Sequence, residues 1–271
     1  MNRLQEMPRY AVNCSILFTE LPLLERPAAA KAAGFDGVEF WWPFTEPVPG
    51  DATVDTFVAA VENAGVQLVG LNFAAGDMPA GDRGLVSWPE HSDAFRANIP
   101  VTLSIGERLG CSTFNALYGN RVKGVDPQAQ DDLAAENLAL AATTAASIDG
   151  TVLVEPLSGS DRYPLVTAAS AIDVIDRVTR ESGAENLGLL ADLYHLAVND
   201  EDVDKVIAAY ADRVTHVQIA DAPGRNEPGT GYLPIARWLG DLASEGYDGW
   251  VGLEYKPSVS SVDSFGWVSA A

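Results

Sequence analysis

The sequence predicts an α/β fold of the (β/α)8 barrel class, and three observations predict it. A short apolar run, a loop and an amphipathic segment recur eight times along 271 residues. The apolar runs are continuous rather than alternating, as in strands of a parallel sheet buried on both faces. Several of them end on a carboxylate or an amide, and barrels of this kind carry their reactive groups at the C-terminal ends of the strands. A doubly wound open sheet is the rival architecture. It usually needs fewer strands, and no GxGxxG opens a helix here.

The first strand is placed in "YAVNCSILF" from Tyr10, the second in "GVEFWWP" from Gly37, the third in "VQLVGLNF" from Val66 and the fourth in "CSTFNALYG" from Cys111. "TVLVEPLS" from Thr151, "LGLLADLYH" from Leu187, "VTHVQIAD" from Val214 and "WVGLEYKP" from Trp250 supply the remaining four. "AAGFDG" reads as a helix end with Gly34 as its stop, and "ADRV" as another. After the fifth strand, Val166, Ala169, Ile172, Ile175 and Val178 recur at helical period. The acidic run Asn199–Asp204 reads as a helix start, where the N-terminal dipole favours acids. After the eighth strand "SSVDSFGWVSAA" leaves room for only a brief helix. No Pro/Gly/Ser-rich linker divides the chain, so a single TIM-barrel domain spanning 1–271 is expected.

The formal net charge is −21, with 47% hydrophobic and 20% charged residues. So negative a surface repels phosphate backbones and argues against nucleic acid. No apolar run approaches a membrane span. "MNRLQEMPRY" lacks the apolar centre of a secretory signal, so a cytoplasmic protein is expected. Cys14 and Cys111 fall in apolar segments and are expected as buried thiols. The aromatics Glu39–Phe44, "EFWWPF", are expected to wall a pocket; a homo-oligomer contact is the open alternative.

Glu155 ends the fifth strand. Asp192 and His195 follow the sixth. His216, Gln218 and Asp221 lie on or after the seventh, and Glu254 and Lys256 end the eighth. Consecutive strands are neighbours, so Glu155, Asp192, Gln218 and Glu254 are expected to converge. Three carboxylates in an apolar mouth repel one another unless a cation stands between them. Three carboxylates and an amide carbonyl form an all-oxygen set, which suits Mg2+ or Mn2+ before Zn2+. Taken singly, each has a plainer role: Asp192 as a helix cap, Gln218 bonded to a backbone carbonyl, His216 and His195 as satisfied core histidines.

The segments "NCSILF", "GFDGVEFWWP", "AAGDMPAGDRG", "VLVEPLS", "ADLYHLA", "HVQIADAPGRNEPGTG" and "GWVGLEYKP" together resemble the hydroxypyruvate isomerase family, one of the xylose-isomerase-like TIM barrels. The resemblance runs from about Tyr10 to Pro257. It implies interconversion of hydroxypyruvate and tartronate semialdehyde, or of a close 2-oxo acid. It implies a divalent metal held by Glu155, Asp192, Gln218 and Glu254, with Glu155 and Glu254 also the acid/base pair. His195 and Lys256 are candidates to polarise substrate oxygens. Arg225 is the first candidate to hold a substrate carboxylate, because its fork matches that group, and Arg83 the second. Asn72 joins the substrate-binding candidates. Two departures bear on substrate identity: Tyr232 follows "GTG" where relatives carry an acid, and "NFAAGDM" from Asn72 stands where they show "NLPAGDW". A sugar 3-epimerase is the enzymatic alternative, although such enzymes place histidine where Gln218 stands. Related endonucleases need more than this chain's three histidines. A non-catalytic metabolite-binding barrel is expected to have lost one of the two glutamates.

Overall fold

Each apolar run forms a strand because both its faces are covered, one by the barrel interior and one by helices. The computed structural model describes residues 8–270. Eight parallel strands follow one another around a closed barrel: β1 (Arg9–Asn13), β2 (Gly37–Phe40), β3 (Gln67–Asn72), β4 (Thr113–Asn115), β5 (Thr151–Val154), β6 (Leu187–Asp192), β7 (Val214–Ile219) and β8 (Trp250–Leu253). The sheet closes where β8 pairs with β1, Leu253 opposite Val12. Outside it lie α1 (Arg26–Ala32), α2 (Asp51–Ala64), α3 (Ser92–Leu109), α4 (Pro127–Ala145), α5 (Ala168–Ser182), α6 (Leu193–Val198), α7 (Val203–Tyr210) and α8 (Ile235–Ser244). A 3-10 stretch over Asp263–Ala270 takes the place of a long helix after β8. No helix among the described residues is long and apolar enough to cross a membrane.

The first and fourth strands are shorter than their apolar runs. β1 stops at Asn13, whose carbonyl accepts from Ile16 and Leu17 N–H and turns the chain, while its Oδ1 accepts from Ser15 N–H at 3.0 Å. β4 covers only Thr113–Asn115. Cys14 and Cys111 are free and buried, and burial pushes both thiols up, Cys111 to about 12.

α5 shows how the outer layer is specified. Thr167 caps it: its Oγ1 accepts from Ser170 N–H at 3.1 Å, and Ser170 Oγ accepts from Thr167 N–H at 3.2 Å. The buried stripe is Ala168, Ala171, Ile172, Ile175 and Val178. Val166 lies ahead of the cap and Ala169 faces outward, both exposed, because the capping box sets the helix phase from Ala168. Burying each Ile or Val contributes about 1.5–3 kcal/mol. Gly183, at φ 78°, ends the helix in the left-handed conformation that glycine adopts freely. On α7 the cap is Asp202, from within the acidic run, which accepts from Lys205 N–H at 3.3 Å.

Candidate active site

β5 ends at Val154, and Pro156 follows Glu155, so the glutamate stands where strand pairing stops. Glu155 is buried, and its Oε2 accepts from Asn115 Nδ2 at 2.6 Å. Burial holds its carboxyl well above the usual range, and the negative charges of Glu254 and Asp192 push the same way.

Asp192 closes β6 and caps α6. Its Oδ1 accepts from the N–H groups of Tyr194 (2.9 Å) and His195 (3.3 Å), which leaves Oδ2 free of the helix. The plain capping role and a place in the site therefore coexist, one oxygen each. One ligand atom from each of Glu155, Asp192 and His195 lies within 4.8 Å of the others. His195 Nδ1 accepts from Ser158 N–H at 3.1 Å and lies 2.6 Å from Ser158 Oγ. This network assigns the ring proton to Nε2, which lies 3.5 Å from Asp192 Oδ2. Burial pulls the imidazole down to about 4, so it faces the site uncharged.

Glu254 follows β8. Trp41 Nε1 donates to its Oε1 at 2.7 Å. Arg225 Nη2 lies 3.1 Å from the same oxygen and 3.5 Å from Asp192 Oδ2, so one guanidinium nitrogen joins two of the acids. Burial pushes the Glu254 carboxyl up to about 8, against the lowering effect of Arg225 and with the raising effects of Asp192 and Glu39.

Gln218 lies opposite Asp192 in the β6–β7 register. Its Nε2 donates to Glu39 Oε1 at 2.7 Å. Among the described residues, Asp192 Oδ2, Gln218 Oε1 and Glu254 Oε2 are buried oxygens without a hydrogen-bond partner, as is Asn115 Oδ1 on the residue that bonds Glu155. Orphaned buried acceptors are costly unless a cation or a donor meets them. Glu155, Asp192, Gln218 and Glu254 offer the oxygen donors that a hard divalent ion favours, and these residues fit such an ion.

Glu155 and Glu254 line a pocket of about 480 Å3 whose walls also include Trp41, Asn72, Arg83, Tyr194, His195 and Lys256, while Asp192 and Gln218 lie behind it and do not line it. Arg225 lies on the β7–α8 loop with φ 58°, and its Nε donates to Glu254 O at 3.2 Å. Asp221 organises this loop: its carboxylate accepts from the N–H groups of Ala222, Gly229, Gly231 and Leu233. Arg225 is therefore engaged by acids rather than free. Arg83 donates only to carbonyls, those of Met78 (3.1 Å) and Asp82 (2.7 Å), and has no carboxylate partner among the described residues. Lys256 is exposed at the rim, and Asn72 is the buried last residue of β3 rather than a loop residue. Tyr232 is 73% exposed and does not line the pocket. Within "EFWWPF", Trp41 faces the pocket, while Trp42 packs edge-on against Phe44 and Phe44 against Phe57.

Sequence reasoning missed Glu39, Asn115 and Ser158 as supports of the site. Glu39 carries the cue that exposes Glu155, a carboxylate embedded in an apolar strand. Asn115 is the polar end of an apolar run. Nothing local marks Ser158.

The model of the xylose isomerase-like TIM barrel family matches residues 27–270. A Streptomyces coelicolor protein provisionally designated hydroxypyruvate isomerase is 57% identical, over 97% of this chain and 96% of its own length. The hydroxypyruvate isomerase of Escherichia coli is 30% identical over 97% and 98%, and a 2-oxo-tetronate isomerase of Cupriavidus necator 32% over 97% and 98%. A crystal structure from Brucella melitensis, described as an AP endonuclease of family 2, superposes with a TM-score of 0.87 at 34% identity, covering 97% and 99% of the two chains. A D-psicose 3-epimerase shares the fold with a TM-score of 0.73 at 19% identity, covering 92% and 85%. A closed eight-stranded barrel with its acids gathered at one end, matched along nearly its whole length by these relatives, places this chain as an isomerase in the hydroxypyruvate isomerase family of xylose isomerase-like TIM barrels.

Proposed function

We propose that this single-barrel chain is a divalent-metal-dependent isomerase that interconverts hydroxypyruvate and tartronate semialdehyde, or a close 2-oxo acid. The observation that carries the reading is that Asp192 Oδ2, Gln218 Oε1 and Glu254 Oε2 are buried and unpartnered, with ligand atoms of Asp192 and Glu155 within 4.8 Å of each other. A Mg2+ or Mn2+ ion held by these four residues supplies the positive charge that makes the hydrogen on the hydroxyl-bearing carbon acidic.

The chain's own residues do the rest. The reaction takes a proton from C3 of hydroxypyruvate and returns one to C2, while the hydroxyl proton passes from O3 to O2. Glu155 and Glu254 are the proton carriers at carbon. With no ion between them both are raised above the usual carboxylate range by burial. Asn115 fixes one carboxylate and Trp41 the other. His195 Nε2–H donates to a substrate oxygen. Arg83, without an acid of its own, takes the substrate carboxylate with Lys256 at the rim, while Arg225 balances Glu254 and Asp192.

The test is a panel of small 2-oxo acids and ketoses assayed with and without chelator. Conversion of hydroxypyruvate that stops with chelator and returns with Mn2+ is expected. Epimerisation of a ketose with no conversion of any 2-oxo acid would overturn the reading.

A further inference from the structure

Glu39 is a carboxylate inside the barrel, on β2, with β1 and β8 standing between it and β7 around the sheet, and it is only 3% exposed. No lysine or arginine pairs with it among the described residues. Its partners are three donors: Asn13 Nδ2 (3.0 Å) and Gln218 Nε2 (2.7 Å) on Oε1, and His216 Nε2 (2.6 Å) on Oε2. The barrel makes room for it on the strand that separates β7 from β1. A Cβ added at Gly252 of β8 would stand 2.5 Å from Glu39 Oε1 and 2.7 Å from Oε2. Burying such a group costs stability unless every oxygen is bonded, so a buried glutamate that is fully bonded has a definite orientation.

That orientation has a consequence at Gln218. An amide has one donating and one accepting end, and a carboxylate accepts only. With Nε2 committed to Glu39, Oε1 must face the other way, and it lies buried without a partner, as do Asp192 Oδ2 and Glu254 Oε2. Gln218 is registered opposite Asp192 on the neighbouring strand, and were the amide reversed, the end turned away from Glu39 would carry N–H groups, which would repel a cation there. Trp41, one residue past the end of β2, does the corresponding thing for Glu254: by donating to Oε1 it leaves Oε2 free.

We propose that Glu39 is a positioning residue for the metal centre: supported by His216, it fixes the Gln218 amide with its carbonyl oxygen turned toward the acids, so that Gln218 serves as a ligand and not as a repelling donor. The proposal rests on the metal reading above and extends it to a residue that touches neither ion nor substrate. Outer partners of this kind are worth about ten- to a hundredfold in metal affinity.

The test is Mn2+ binding, read by electron paramagnetic resonance and by calorimetry, with no turnover required. Glu39→Met keeps the volume and removes the acceptor; a loss of about ten- to a hundredfold in Mn2+ affinity is expected. The exchange variant Glu39→Gln with Gln218→Glu reverses donor and acceptor. Residue 39 now donates to residue 218, whose second oxygen is again fixed, at the cost of the Asn13 bond to residue 39, so affinity is expected to lie clearly above that of Glu39→Met. Gln218→Leu marks the ligand itself and is expected to lose affinity whatever holds it. Circular dichroism and thermal unfolding establish that each variant is folded, and the exchange variant decides the matter if Glu39→Met is not. Parental Mn2+ affinity in Glu39→Met alongside weakened binding in Gln218→Leu would overturn the positioning role and leave the metal reading standing. A folded exchange variant that binds no better than Glu39→Met would do the same. Absence of Mn2+ binding by the parent would overturn the metal reading and this inference with it.

Discussion

Trp41 donates its indole N–H to Glu254 across 2.7 Å, joining the loop after β2 to the residue that follows β8. The bond leaves the other Glu254 oxygen unpartnered and fixes the plane of the carboxylate. Trp41→Phe keeps the ring and deletes the donor. We expect kcat to fall about ten- to a hundredfold, while KM and the unfolding midpoint change little. Steady-state kinetics beside a thermal melt checks this, and an unchanged kcat would show that the bond does not serve the reaction.

Glu155→Gln and Glu254→Gln each remove a proton carrier without changing volume. Turnover should fall by about 10²–10⁴-fold. In chelator the variants should be at least as stable as the parent, because each deletes one of several mutually repelling buried acids. Rates are compared at saturating substrate and midpoints in metal-free buffer. A strongly destabilised, still active variant would assign these residues to the fold instead.

Arg225→Met strips the guanidinium from Glu254 and Asp192. Uncompensated buried acids cost about 3–5 kcal/mol, so urea unfolding in chelator should shift by that order. Added Mn2+ should recover much of the loss, since an ion between the acids replaces the missing cation. Equal shifts with and without Mn2+ would contradict this account.

Arg83→Met should raise KM for 2-oxo acids by about tenfold or more, in line with about 1.5–3 kcal/mol for a charged hydrogen bond. Uncharged ketoses should be unaffected. If Arg225→Met discriminated against the carboxylate and Arg83→Met did not, the roles of the two arginines would be reversed.

The acids also set a pH dependence. The Glu254 carboxyl is raised from 4.5 to about 8, and Glu155 is raised as well. A raised folded-state value contributes stability that is fully present below the ordinary value and is lost as pH climbs through the folded one. Metal-free protein should therefore weaken between about pH 5 and pH 8. Protons and a divalent ion compete for the same oxygens, so stabilisation by Mn2+ should be greatest near pH 8. Melts across this range with chelator or Mn2+ provide the measurement, and parallel curves would refute it.

The barrel was legible because continuous apolar runs and polar strand ends repeat along the chain, and both follow from a parallel sheet covered on each face. The positions of Glu155, Asp192, Gln218 and Glu254 on or just after four neighbouring strands were legible for the same reason, and their service as one set of ligands is what we propose. The link between Glu39 and Gln218 was not, because their strands are separated by two others and meet only across the barrel's interior. The environment of Arg225 was hidden too. It depends on a left-handed backbone at a residue other than glycine, held by a loop that Asp221 gathers through four backbone N–H groups. Tyr232 looked significant as a departure in a motif, yet the loop turns its side chain to solvent.

The hollow at Gly252 ties two distant positions together during sequence drift. A methyl group there collides with the Glu39 carboxylate, so residue 252 can grow only in a lineage where that carboxylate has left its three partners or residue 39 has shrunk. Such a lineage would also forfeit the bond that aims Gln218. A larger residue at 252 in a relative should therefore coincide with change at both 39 and 218, a three-way signature open to inspection across the family without any experiment.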